Sequence, residues 1–120
     1  MSLKLYGYEK CTTCRNAVKL LEAEQIEFEY VPIRDTPPTR REMQQVLEST
    51  QLPIRKLFNT SGREYRFLGL KDKLHRMTDG QTLDLLKENG NLVKRPVLIG
   101  DGVALIGFNE SEWRRELNLA

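Results

Sequence analysis

Apolar positions along this chain change period more than once. Leu3 to Tyr6 is a short, largely apolar stretch suited to a buried strand. Between Asn16 and Glu24 the period becomes helical: Ala17, Val18, Leu20 and Leu21 form one apolar stripe. Glu27-Phe28-Glu29-Tyr30-Val31-Pro32-Ile33 then alternates and predicts a second strand. Strand, helix and strand within about thirty residues make a βαβ unit, with parallel strands and a right-handed crossover.

Thr36-Pro37-Pro38 ends that unit. Thr39-Arg40-Arg41-Glu42 is a capping box and predicts a helix with Met43, Val46 and Leu47 facing inward. Pro53 limits this helix, and Ile54 to Phe58 fits one more helical turn. Asn59-Thr60-Ser61-Gly62 is a turn signal. Residues 63–70 are ambiguous between loop and short helix. Residues 71–76 are charged and read as a solvated face that includes the chain's single histidine, His75. Thr78-Asp79-Gly80-Gln81 repeats the capping box, with Leu83 and Leu86 on the buried side and Leu85 beside them. Asn89-Gly90 is a helix-ending pair in which Gly90 suits a left-handed conformation.

The last third is clearer. Val97-Leu98-Ile99-Gly100 and Val103-Ala104-Leu105-Ile106-Gly107 flank Asp101-Gly102, a strong two-residue hairpin signal. Asn109 caps a final helix, Glu110 to Leu117, which packs through Trp113 and Leu117. The order is therefore βαβ, a helical block, then ββα. Joined in one sheet, the strands make a four-stranded mixed sheet with helices on both faces. The expected class is α/β, a thioredoxin-like fold of glutaredoxin type, with a helical insertion at about 37–92.

Composition narrows the field. A chain of 120 residues is expected to be one domain, 1–120, with its own core. Charged residues at 30% and hydrophobic ones at 39% suit a soluble globular protein. A net charge of +2 is too small to argue for direct nucleic-acid or anionic-membrane binding. No apolar run approaches the length of a membrane span, and the early charge at the N-terminus does not suit a signal peptide. The expectation is a cytoplasmic protein. The arginine pairs Arg40-Arg41 and Arg114-Arg115 read as solvated helix faces.

The chemistry concentrates in Lys10-Cys11-Thr12-Thr13-Cys14-Arg15, which holds both cysteines at C-x-x-C spacing. It lies between a strand and a helix, so Cys11 falls at a helix N-terminus. Unpaired N–H groups and the macrodipole there favour a thiolate, the reactive form. Lys10 and Arg15 add positive charge. Residues three apart share a helix face, so Cys14 is placed to attack an oxidised or adducted Cys11. Three blander readings stand beside this one: inert buried thiols, half of a zinc site and a structural disulfide. A closed zinc site needs four ligands, and His75 is the sole addition to the two cysteines. A structural disulfide needs an oxidising compartment that nothing in the sequence suggests.

Arg95-Pro96 precedes the third predicted strand. Proline cannot donate to a ladder, so it belongs at the strand's first residue. In thioredoxin-like folds a cis proline stands there, facing the active cysteine. Arg95 would then lie beside the cysteine loop, with a fork of donors suited to an oxyanion or a carboxylate.

Several spaced motifs occur together in order: Tyr8-x-x-Cys11-x-x-Cys14-Arg15, Pro37-Pro38-Thr39, Phe58-Asn59-Thr60-Ser61-Gly62, Leu68-Gly69-Leu70, Lys94-Arg95-Pro96 and Gly107-Phe108-Asn109-Glu110. Over nearly its whole length the chain resembles the ArsC/Spx family of glutaredoxin-coupled arsenate reductases and Spx transcription regulators. The resemblance implies a catalytic set of Cys11, Cys14 and Arg95. Lys10, Thr12, Thr13, Arg15, Asn59 and Pro96 would surround the substrate. It implies no bound cofactor, and glutathione or a thiol protein such as glutaredoxin or thioredoxin as electron donor. The arsenate reductases hold their oxyanion with three arginines. Arg95 matches one, while Asn59 and Phe108 stand at the other two positions. Arg63 and Arg66 lie near Asn59 in sequence. The Spx branch carries a C-x-x-C switch and binds the C-terminal domain of the RNA polymerase alpha subunit. Gly107 to Glu112 is more similar to that branch, but the glycine used in the polymerase contact has no counterpart between Glu48 and Ile54.

Overall fold

A computed structural model of the chain describes residues 2–119. Met1 and Ala120, the ends of the expected domain, lie outside the described residues. Four strands form one mixed sheet: β1 (Leu3–Gly7), β2 (Phe28–Pro32), β3 (Val97–Gly100) and β4 (Val103–Ile106). Their order is β2-β1-β3-β4. β1 runs parallel to β2 and antiparallel to β3, and β3 and β4 form the hairpin. Asp101 and Gly102 both take positive φ at its tip (50° and 80°), as a twist-matched two-residue turn requires. Among the described residues, five α-helices complete the fold: α1 (Thr12–Ala23), α2 (Arg40–Thr50), α3 (Arg63–Phe67), α4 (Asp79–Glu88) and α5 (Glu110–Glu116).

Alternation along the strands divides the core. Leu3 and Leu5 of β1, Leu98 of β3 and Leu105 of β4 meet Ala17, Leu20 and Leu21 of α1 and Trp113 of α5. Tyr6, Val97, Ile99 and Ile106 point the other way, onto Met43 and Val46 of α2 and Leu83 and Leu86 of α4. The helical block between β2 and β3 therefore covers one face, and the flanking helices cover the other.

α1 begins four residues before its apolar stripe suggested. Cys11 is the N-cap, and its sulfur accepts the Cys14 N–H at 3.4 Å. Buried Cys14 extends the stripe back by one turn. Both Thr-initiated capping boxes form, at Thr39/Glu42 and Thr78/Gln81. Glu42 also accepts from Tyr6 Oη at 2.7 Å and pairs with Lys4 at 2.6 Å, which ties the start of α2 to β1. The ambiguous stretch from 63 is α3 followed by 3-10 turns at Leu70–Asp72 and Leu74–Arg76.

One expectation needs correcting. Gly90 does not take a left-handed conformation. A Cβ there would collide with the carbonyl oxygen of Ile33, so glycine serves close backbone approach instead. Arg40, Arg41 and Arg115 are exposed, as expected of solvated helix faces, and Arg114 is partly covered; Arg40 pairs with Asp84 at 3.0 Å, and Arg114 bridges Glu110 at 2.9 Å and Glu24 at 3.3 Å.

Candidate active site

β1 delivers the cysteine loop. Its last residue, Gly7, leaves room where a Cβ would meet Tyr30 Oη at 3.2 Å and Cys14 Cβ at 3.4 Å. Tyr8 follows and organises the turn: its carbonyl accepts from Cys11 N at 2.9 Å, and its N–H lies 3.5 Å from Cys14 Sγ. Two sulfurs of unlike exposure result. Cys11 is half-buried, whereas Cys14 is 1% exposed.

Their titration differs in the same sense. Burial pushes the Cys11 thiol up, but hydrogen bonds from the Cys14 thiol and N–H outweigh it. The Arg95 charge and the Thr13 N–H act the same way, and Cys11 settles below its ordinary value. Burial pushes Cys14 up to about 12, against the Tyr8 N–H and the Arg95 charge, with the hydrogen bond and charge of Cys11 adding to the rise.

The Arg95–Pro96 peptide bond is cis, and it leads directly into β3. Its surroundings are fixed from both sides. Lys94 N bonds Leu57 O at 2.9 Å, and Asn59 N bonds Leu92 O at 2.8 Å, on either side of a Phe58–Val93 bridge. Gly107 N bonds Pro96 O at 2.8 Å, and Trp113 Nε1 donates to Gly107 O at 3.0 Å. Arg95 lies with its guanidinium carbon 5.2 Å from the Tyr8 ring centroid. Its Nη1 is buried and has no hydrogen-bond partner among the described residues.

The remaining expected site residues are more scattered. Lys10, Thr12, Thr13 and Arg15 are all exposed on the loop and first turn of α1. Thr13 shares a cleft with Arg95 and Phe108. Asn59 turns toward its own loop, where its carbonyl accepts from Gly62 N at 3.0 Å and its amide packs on Gly62. Phe108 packs edge-on against Trp113 at 5.0 Å. At the two positions where the resemblance expected arginine, one residue thus shapes a turn and the other completes the core. Arg63 and Arg66 are both exposed on α3.

Two contributors went unnoticed in the sequence. Arg34 places its guanidinium carbon 4.8 Å from the Tyr8 centroid, and Tyr30 stands near enough for both cysteines to act on it. Burial raises the Tyr30 phenol, and charge on Cys14, Glu9 and Cys11 adds to that. The signal available was topological. Parallel pairing sets Gly7 beside Pro32, so residues after β2 gather at the same sheet end as the cysteine loop.

This arrangement and the ordered motifs agree with a family model described as "ArsC family", which matches residues 6–116. The chain belongs to the ArsC family. It is 41% identical to the uncharacterized protein YusI of Bacillus subtilis (strain 168), over 94% of this chain and 96% of that one. It is 34% identical to the regulatory protein MgsR of the same organism, over 92% and 86%. A structure described as a possible arsenate reductase from Streptococcus mutans UA159 superposes with a TM-score of 0.84. That chain is 38% identical, with 92% of this chain and 96% of that one covered. Family membership and the thioredoxin-like fold therefore rest on independent comparisons of sequence and of structure. Among the described residues of this ArsC-family chain, no group of three or more His, Cys, Asp and Glu side chains is placed to hold a metal ion. Among the described residues, no helix is long and apolar enough to cross a membrane.

Proposed function

We propose that the protein is a dithiol oxidoreductase that exchanges disulfides through Cys11 and Cys14. The observation that carries this reading is the asymmetry of the pair: an accessible sulfur caps α1, and a buried sulfur lies one turn inside. Cys11 thiolate attacks a partner disulfide, forms a mixed disulfide with one half and releases the other as thiolate. Cys14 then attacks Cys11 Sγ, its proton passing to the departing sulfur. The Cys11–Cys14 disulfide forms, and two electrons have moved from protein to partner. Arg95 stabilises the Cys11 thiolate. Glutathione or a thiol protein such as glutaredoxin or thioredoxin returns the pair to the dithiol. No bound cofactor is needed.

The pair contains its own timing. After burial, the influences that hold Cys14 up are the hydrogen bond and charge of Cys11. Once Cys11 is in a mixed disulfide that charge is gone, so the resolving thiol becomes easier to ionise when it is needed.

Arsenate is a weaker substrate for this site. A multiply charged oxyanion beside a thiolate needs several compensating charges, and Asn59 and Phe108 supply none. The resemblance to the Spx transcriptional regulators, with the likeness to the regulatory protein MgsR beside it, favours a second reading, a redox-sensing regulator that binds the RNA polymerase alpha C-terminal domain. Retention of that domain by the reduced or the oxidised protein would support it; no retention in either state removes it.

Trapping tests the main reading. Cys14→Ser exposed to hydroxyethyl disulfide should accumulate a mixed disulfide on Cys11, seen by mass spectrometry. The unaltered protein should instead lose two hydrogens and retain no adduct. A stable adduct on the unaltered protein, or one on Cys14 in Cys11→Ser at a similar rate, would contradict it.

A further inference from the structure

The cleft beside Tyr8 narrows the chemistry of the disulfide partner. This cleft, about 560 Å³, lies on the β2 side of the cysteine loop, with Tyr8, Tyr30, Pro32, Arg34 and Asn91 in its walls. Its size suits a small ligand rather than a single ion. Arg34 is exposed and stands over the Tyr8 ring, which carries Arg95 as well. Two like charges therefore lie within about 10 Å of each other. Among the described residues neither forms an ion pair. Two carboxylates, Glu9 and Asp35, line the same cleft. A plain anion would meet these carboxylates as well as Arg34. A group with both charges meets a partner for each.

Resting on the dithiol reading, we infer that this cleft receives the amino-acid head group of a small disulfide partner. Arg34 takes the carboxylate through its fork of donors, and Glu9 and Asp35 face the ammonium. Tyr8 and Tyr30 belong both to the cleft and to the surroundings of the cysteines: Tyr8 holds the loop, and Tyr30 lies within electrostatic reach of Cys14 and Cys11. The partner's disulfide is thereby presented to Cys11 while its head group is held on the β2 side. Arg34 is a specificity-determining residue in this scheme, distinct from Arg95. The preferred substrates are disulfides of amino-acid or short-peptide thiols.

The test compares cystine, cystamine and hydroxyethyl disulfide as oxidants of the reduced protein. Loss of two hydrogens is followed after acid quench. Each rate is divided by the rate of the same disulfide with dithiothreitol, which removes differences in intrinsic reactivity. The protein should favour cystine over hydroxyethyl disulfide by about fivefold or more, and Arg34→Gln should lose most of that preference. Cystamine, which has the ammonium alone, should change little in Arg34→Gln relative to hydroxyethyl disulfide. A protein with no preference for cystine overturns the inference, and so does a preference that survives in Arg34→Gln. Failure to react with hydroxyethyl disulfide at all is a different result, because it removes the dithiol reading itself.

Discussion

At the residue scale, the behaviour of Cys11 depends on its neighbour Cys14, on the helix-start N–H groups and on Arg95 from the far end of the sequence. Burial works against its thiolate; the helix-start N–H groups and Arg95 work for it. Arg95 is itself held by the Tyr8 ring and by the backbone around Pro96. Arg95→Gln removes the charge and keeps the approximate bulk. Its Cys11 should titrate higher and be alkylated more slowly at neutral pH. Arg15→Gln, a change at an exposed residue, should shift Cys11 much less. The measurement is the pH dependence of iodoacetamide labelling, resolved by cysteine. The thiols were legible in the sequence because both lie in one local motif. The residues that surround them were not, because Arg34 arrives through strand register and Arg95 through the β1–β3 pairing.

At the element scale, local signals transferred well wherever a single chemical reason fixed the geometry. The two capping boxes and the Asp101-Gly102 turn are of this kind. Stretches 63–76 were not legible, since α3 and its neighbouring 3-10 turns are too short to display a period. Tyr65, Leu70 and Leu74 anchor them by burial in the core beneath. Gly90 failed for a related reason: the atom that requires glycine belongs to Ile33, more than fifty residues earlier. Gly90→Ala should therefore cost about 2–3 kcal/mol, because a backbone carbonyl cannot step aside as a side chain can. A lowered urea midpoint at unchanged slope would confirm this; a midpoint like the parent's would show that the approach relaxes freely.

At the scale of the whole molecule, the βαβ unit, the hairpin and the helical block were all readable in outline. What joins them was not. Lys4, Tyr6 and Glu42 form a polar knot between β1 and α2 inside an otherwise apolar layer. Burial raises the Glu42 carboxyl, but bonds from Lys4, Tyr6 and the Thr39 N–H prevail and hold it below its ordinary range. Its stabilisation is complete above about pH 4.3 and is lost as the pH falls through the lowered native value. Glu42→Gln should cost about 1–2 kcal/mol at pH 7 and flatten the acid side of the stability profile. Thermal melts across that range read both effects.

Exchange through this pair depends on unequal sulfurs, and their separate alkylation rates measure this directly. Quenched labelling of the reduced protein from pH 5 to 10, read cysteine by cysteine, should give Cys11 a midpoint below the ordinary thiol value of about 8.5. Cys14 should remain nearly unlabelled throughout. A Cys11 midpoint at or above that value, or Cys14 labelling first, would contradict the account.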